Sequence, residues 1–210
     1  LTDQDGIERF WRHLLAGAGY VDVSQNNHNR GRKHWDNFLH VRRYLATKPR
    51  PMNTTKTYGA GGGKAGLTDQ DGIERFWRHL LAGAASLRFH RPDAGLGLGD
   101  KAVAAIRAAR KLESKIPLWS VTPAIELLAD REPNEAYLAA AAGTAYAVYF
   151  PSGGEVRLDL PVARGPWAVH WIDIASGEWG PTRQLDGGAA TMLAPPAGGN
   201  WAAAIVRDAD

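Results

Sequence analysis

Any chemistry in this chain has to come from three short polar clusters, each closing an apolar stretch. Ser24, Gln25, Asn26, Asn27 and His28 end the stretch 20–23; Lys56 and Tyr58 end 52–58; Arg88, His90 and Arg91 end 86–89. Amides and an imidazole in a row could hydrogen-bond sugar hydroxyls, and asparagine-rich loops equally make Asx turns. Lys56 and Tyr58 could line a binding pocket, or Lys56 could pair with a carboxylate. His90 and Arg91 suit an anionic group or tie loops together. The run Gly59-Ala60-Gly61-Gly62-Gly63-Lys64 stands ahead of a helix as a phosphate loop would. It breaks the G-x-x-x-x-G-K-[ST] spacing, and Ala65 sits where a hydroxyl ligand for magnesium is required, so it reads as a plain loop. The 7 histidines show no metal-ligand spacing, there is no cysteine, and no G-x-S-x-G elbow occurs. No metal and no cofactor are expected.

The elements that position these clusters start with a repeat. LTDQDGIERFWRHLLAGA occurs twice without a change, at 1–18 and 67–84. Ile73, Phe76, Trp77, Leu80 and Leu81 fall on one helical stripe. Thr68 and Asp69 offer the N-cap, Asp69, Asp71 and Glu74 load the positive end of the dipole, and Gly83 is a natural stop. Ancient repeats diverge, so an exact copy points to recent duplication, deliberate engineering or an assembly error. Each copy runs through a Gly-Ala turn into a short strand. The first copy is expected to take the place of the helix that an αβ unit needs before strand 20–23. A helix over 33–46, with Trp35, Phe38, Leu39 and Leu45 inside, and one from Asp100, carrying Val103, Ile106 and Leu112, complete parallel βα units. Thr122 and Pro123 read as the cap and first turn of a short helix through Leu128.

Beyond Asn134 the pattern changes to short strands: 136–140, 145–150, 155–160, 167–172, a stretch near Trp179, 190–193 and 201–206. Val156, Leu158 and Leu160, and Trp167, Val169 and Trp171, recur at every second position, as on a sheet face packed on a core. Some seven strands in about 75 residues predict a small antiparallel sandwich. Its tryptophans, Trp167, Trp171, Trp179 and Trp201, read as core or as sugar platforms.

At 210 residues the chain can bury a sizeable core. A formal charge of +3 implies no polyanion-binding field, and no nucleic-acid partner is expected. The 7 basic residues from Arg30 to Arg50 face one acid, Asp36, and read mainly as a solvated helix face. No apolar run approaches the roughly 20 residues of a membrane span, so no membrane partner is expected. The first residues form a capped helix, not a signal peptide, and localisation stays open.

The stretches AYAVYFPSGGEVRLDL, WAVHWIDIASGEW and APPAGGNWAAAIVRD resemble the collagen-binding domain of a collagenase. That domain is the C-terminal β-sandwich of a group of glycoside-hydrolase-like proteins that includes apiosidase-type enzymes. A (β/α)8 barrel precedes it there. VDVSQNN resembles that barrel's strand six, RPMNTTKTYG its strand seven, and ERFWRHLLAGAASLRFHRP its helix seven and strand eight. The implied fold is α/β plus all-β: a partial (β/α) barrel of the last three βα units, followed by a small antiparallel β-sandwich. The implied division is a duplicated helix at 1–18, barrel at 19–134 and sandwich at 135–210. A full barrel takes about 250 residues, so strands one to five are expected to be missing.

The resemblance also places function at the C-terminal strand ends. Gln25, Asn26, Asn27, His28, Lys56, Tyr58, Arg88, His90 and Arg91 are then the candidate substrate-binding residues. Glycoside hydrolysis ordinarily uses two carboxylates about 5–9.5 Å apart. In the related enzymes one comes from strand four, outside this sequence, and the other is a Glu where this chain has Lys56. The expected function is the C-terminal portion of a glycoside-hydrolase-like protein acting on or binding polysaccharide, catalytically silent by itself. The alternative is a non-catalytic carbohydrate-binding or structural β-sandwich module. Carbohydrate is the expected partner, and an open half-barrel with bare strand edges and apolar faces predicts self-association.

Overall fold

The computed structural model describes residues 4–25, 29–59, 67–91, 96–160 and 165–207. Four helices and three strands alternate in its first half. These are α1 (Gln4–Leu15), β1 (Val21–Val23), α2 (Gly31–Tyr44), β2 (Met52–Thr57), α3 (Asp69–Leu81), β3 (Ser86–Phe89) and α4 (Asp100–Lys115). The three strands lie side by side in the order β1-β2-β3, all parallel, with Val21 opposite Met52 and Leu87 opposite Thr54. One face of this sheet carries Val23, Met52, Thr54 and Phe89, buried under the helices. The other face carries the row Asp22, Asn53, Ser86. The Ser86 hydroxyl donates to Asn53 Oδ1 at 2.9 Å, and the Asn53 amide donates to Asp22 Oδ1 at 3.4 Å. This face of the sheet therefore carries a polar, hydrogen-bonded row.

The two copies of the repeated helix meet different surroundings. α3 begins in a capping box, the Thr68 side chain accepting from the Asp71 N–H and the Thr68 N–H donating to Asp71 Oδ2 at 2.8 Å. It buries Ile73, Phe76, Trp77 and Leu81, and with them Arg75, Arg78 and His79. α1 buries Leu14 and leans Phe10 and Trp11 edge-on against Tyr44 of α2. Its Arg9, Arg12 and His13 face solvent. α4 departs from expectation in its inward face. Ala102, Ala105, Ala108 and Leu112 are buried, whereas Val103 and Ile106 are exposed. Small residues let the helix lie close on the sheet behind it.

That sheet belongs to the second half. A six-stranded sheet has the order β10-β9-β12-β7-β6-β4 and a three-stranded sheet the order β11-β8-β5, every pair antiparallel. The strands are β4 (Thr122–Pro123), β5 (Leu128–Ala129), β6 (Tyr137–Ala141), β7 (Ala145–Phe150), β8 (Val156–Asp159), β9 (Pro166–Asp173), β10 (Glu178–Asp186), β11 (Ala190–Leu193) and β12 (Trp201–Arg207). The short helix expected at 122–128 is absent. Thr122 and Pro123 pair with Ala140 and Ala139, and only a 3₁₀ turn, Ile125–Leu127, follows. A helix that short forms too few internal hydrogen bonds to compete with a sheet edge, and proline is tolerated on an edge strand. The sandwich sheets thus begin at Thr122, ahead of Asn134.

The large sheet is covered on both sides. Tyr137, Ala139, Ala147, Tyr149, Ile172, Ala202 and Ala204 join the core of the helical half. Their neighbours Leu138, Val148, Phe150, Val169, Ala203 and Ile205 join a second core under the small sheet, together with Val156, Leu158, Trp167 and Trp171. Trp167 and Trp171 are core residues, while Trp179 is 41% exposed and Trp201 half-buried.

Candidate functional site

The parallel strands end close together, and the residues that follow them divide into two groups. Tyr58 and His90 extend β2 and β3, and their rings meet at 4.7 Å between centroids. Backbone bonds hold this contact. The His90 N–H donates to the Thr57 carbonyl at 3.0 Å, and the Gly97 N–H to the His90 carbonyl at 2.7 Å. Gly59 follows directly, with its α-carbon so near Gly72 of α3 that a Cβ there would lie 2.2 Å from the Gly72 Cα. No other residue fits without moving the helix. Lys56, Arg88 and Arg91 are exposed, and Arg88 Nε donates to the Thr55 carbonyl at 3.1 Å. Asn26, Asn27, His28 and most of the glycine loop lie outside the described residues.

Gln25 belongs to the second group, which faces inward. Its Nε2 lies 2.7 Å from the His34 carbonyl and 2.7 Å from His79 Nε2, and its Oε1 accepts from Asn29 Nδ2 at 3.2 Å. The carbonyl contact fixes the amide orientation, so the amide donates to His79 Nε2. The His79 proton is then on Nδ1, 2.9 Å from Thr54 Oγ1, which accepts it. His34 stacks on His79 with centroids 4.1 Å apart, and the Phe38 ring lies 4.4 Å from that of His79. Burial above all, then the charges of Arg78 and Arg75, holds the His79 imidazole well below its ordinary range. His34 is lowered in the same way, with His79 itself adding to the effect. Both rings are neutral at pH 7.

Two buried guanidiniums frame this pair. Arg75 donates to the Asn29 carbonyl at 2.6 Å, and burial together with the Arg78 charge brings it down to about 10. Arg78 is held by Glu74 Oε2 at 2.6 Å and Asn134 Oδ1 at 2.9 Å. Nothing in the sequence marks this cluster. His34 and His79 meet only because α2 and α3 are neighbours, and the repeat carries the same arginines and histidine into solvent in α1.

The acid–base inventory of the strand ends is short. Residues 24–25, 56–59 and 88–91 include no Asp or Glu. The sheet's own carboxylate, Asp22, lies in the row with Asn53 and Ser86, near the starts of β2 and β3. Among the described residues no group of three or more His, Cys, Asp or Glu converges on a possible metal position. The arrangement can hydrogen-bond, stack and attract anions.

Known structures share this fold at low sequence identity. The chain resembles a glycoside hydrolase family 5 protein from Bacteroides vulgatus, with a TM-score of 0.66 and 16% identity, over 90% of this chain and 47% of that one. It resembles a second glycoside hydrolase at TM-score 0.66 and 16% identity, over 90% and 48%. A glucosidase from Croceicoccus marinus matches at TM-score 0.52 and 11% identity, over 98% and 57%. The chain spans about half the length of these proteins. No protein-family profile and no curated protein matches its sequence.

Proposed function

We propose that this chain is the C-terminal portion of a glycoside-hydrolase-like protein: three βα units of a (β/α)8 barrel followed by its β-sandwich. In this reading the strand ends hold a glycan and do not cleave it. The observation that carries it is the Tyr58–His90 ring pair, with Lys56, Arg88 and Arg91 exposed on the same strand ends and no Asp or Glu at 24–25, 56–59 and 88–91. Aromatic faces stack on sugar rings and cations favour acidic or hydroxyl-rich ligands. Hydrolysis by the usual route needs two carboxylates. The fold shared with glycoside hydrolases supports a carbohydrate ligand.

Affinity electrophoresis of the chain through a panel of plant and bacterial polysaccharides tests this. Retardation by at least one glycan, weakened about two- to tenfold by Tyr58→Ala, is expected (stacking is worth ~0.5–1.5 kcal/mol). No hydrolysis is expected from the wild type. Robust wild-type hydrolysis would overturn the silent site, and equal retardation of Tyr58→Ala would move the glycan elsewhere.

For the sandwich, one observation favours a packing role over a binding one. The large sheet spends one face on the helical core and buries Trp167 and Trp171 in the other. Retardation of the chain on collagen, or on a glycan through Trp179 alone, would reverse that preference.

A further inference from the structure

α4 and β10 meet along a seam that is shut at one end and open at the other. At the closed end the turn between β9 and β10 rests on α4. Gly177 stands there at φ +72°, and a Cβ on it would lie 2.8 Å from the Ala104 carbonyl oxygen. Glu178 follows and meets Lys111 at 2.6 Å and Arg107 at 3.5 Å. At the open end a cleft of about 450 Å³ is lined by Ser114, Lys115, His170, Trp179, Gly180 and Thr182. A β-bulge builds its floor. Trp179 pairs with Ile172 and Thr182 with His170, so Gly180 and Pro181 together stand opposite Trp171. In a regular strand, residues three apart face opposite sides. The extra residue returns Trp179 and Thr182 to one face, beside His170. Glycine suits the bulge, where a Cβ would lie 2.7 Å from Trp201 Cζ3.

The charges along this seam do not balance. Arg107, Lys111 and Lys115 recur every fourth residue, so α4 presents them in one row. Glu178 answers the first two, and its hydrogen bond to Lys111 holds its carboxyl below the usual range. Asp173 spends its carboxylate on its own turn, accepting from the Ala175 N–H and the Ser176 hydroxyl. Among the described residues no carboxylate pairs with Lys115. The Lys115 ammonium lies over the Trp179 ring at 5.9 Å from the centroid, and that of Lys111 at 5.7 Å. The indole is therefore covered by cations and is no free platform for a neutral sugar. Beside it His170 Nδ1 lies 3.2 Å from Thr182 Oγ1. With the His170 proton on Nδ1 the threonine oxygen accepts it, and the hydroxyl proton is left to donate into the cleft.

We propose that this cleft binds a small oxyanion, a carboxylate or a phosphate group, between the Lys115 ammonium and the Thr182 hydroxyl. Such a group needs an opposite charge and directed hydrogen bonds, and the bulge holds both donors at one mouth. A neutral ligand would leave Lys115 without a counter-charge. The site belongs to neither half alone, because α4 supplies the ammonium and β9 and β10 supply the floor. It shares no residue with the strand ends, and it leaves the sandwich tryptophans in their packing role.

Nuclear magnetic resonance titration of the whole chain at constant ionic strength tests this, with inorganic phosphate, sodium glucuronate and glucose as separate probes. Saturable shifts are expected at the Lys115 and Thr182 amides and the Trp179 indole N–H with phosphate, glucuronate or both, and none with glucose. The anion that saturates names the group. Lys115→Gln should weaken binding about three- to fivefold, as loss of an exposed charge pair does, and Thr182→Val should weaken it as well. Lys33→Gln, at an exposed position on α2, should leave it unchanged. Unsaturated, linear shifts with both anions, or equal affinity of Lys115→Gln and the wild type, would overturn the proposal. So would an equal loss in Lys33→Gln, which would reduce the effect to overall charge, or equal shifts with glucose. Glycan retardation at the strand ends is independent of position 115, so either result can fail while the other stands.

Discussion

Arg12 and Arg78 are the same residue in the same 18-residue sequence, and their energetics should differ severalfold. The Arg78 side chain is 1% exposed and lies between Glu74, itself 15% exposed, and Asn134; the Arg12 side chain is 78% exposed beside Glu8. Removing one partner of a buried ion pair leaves the other uncompensated and costs about 3–5 kcal/mol. Exposed pairs along a helix contribute about 0.3–0.5 kcal/mol. Urea unfolding should therefore place Arg78→Ala about 3 kcal/mol below the wild type and Arg12→Ala within about 0.5 kcal/mol of it. Comparable losses would mean that α1 is as firmly seated as α3. The apolar stripe of this helix was legible in the sequence, because 3.6-residue periodicity survives in any context. The burial of Arg75, Arg78 and His79 was not legible. Identical text cannot encode two environments, and the difference comes from what surrounds α3: Asn29 on one side, Asn134 and Tyr149 on the other. The same holds for Gln25, which composition marked as a ligand-facing amide and the fold turns toward His79.

Between elements, the contact of α2 with α3 is set by two neutral imidazoles, and that makes stability depend on pH. Both histidines have folded-state pKa values below the unfolded value of about 6.5. Above that pH neither state binds the proton and the full stability is present. Below it the unfolded chain takes up protons that the folded chain refuses, so stability falls by about 1.4 kcal/mol per pH unit for each histidine. His34→Phe keeps the ring stack and removes one titration. Its stability, measured by urea unfolding from pH 7 to pH 5, should fall about half as steeply as the wild type's, and an unchanged slope would refute the assignment. In α4 periodicity misled. Val103 and Ile106 announce an apolar face, yet the sheet accepts the alanine side, because backbone approach limits which face can dock. Ala105→Leu should cost about 1–3 kcal/mol by overpacking, while Val103→Ser, at an exposed position, should be near neutral. Equal effects on the thermal midpoint would show that the helix has rotated. At 122–128 the helix signal from Thr-Pro was outvoted by strand pairing to β6, a long-range partner that no local pattern contains.

At the scale of the whole molecule the six-stranded sheet decides how the two halves stand or fall. β8 alternates buried and half-buried residues, whereas all six residues of β7 are buried. An unbroken apolar run of that kind is what a strand covered on both faces requires. The sandwich strands were thus readable from their two-residue period and turn signals, but the second cover, α3 and α4, could not be named from them. Trp77 stacks on Tyr149 at 5.6 Å, and Tyr149 donates to Asn200 Oδ1 at 2.8 Å. Asn200 in turn donates to Gln70 of α3 at 2.6 Å, so a continuous set of contacts crosses from helix to sheet. Detaching the halves would expose Tyr137, Tyr149, Ile172, Ala202 and Ala204 on one side and the inner stripe of α3 on the other. Each exposed large side chain costs about 1.5–3 kcal/mol, in sum comparable with the roughly 5–15 kcal/mol that holds a domain folded. Neither half should therefore outlast the other. Near-UV circular dichroism of the Trp167 and Trp171 core and nuclear magnetic resonance of the His79 ring, followed through the same urea titration, should give one midpoint. Trp77→Ala, at the joint, should lower both midpoints together, by about 3–5 kcal/mol in stability. If the sandwich signal instead kept its midpoint while the histidine signal moved, the sheet would be a self-sufficient domain and the shared core only a contact between two.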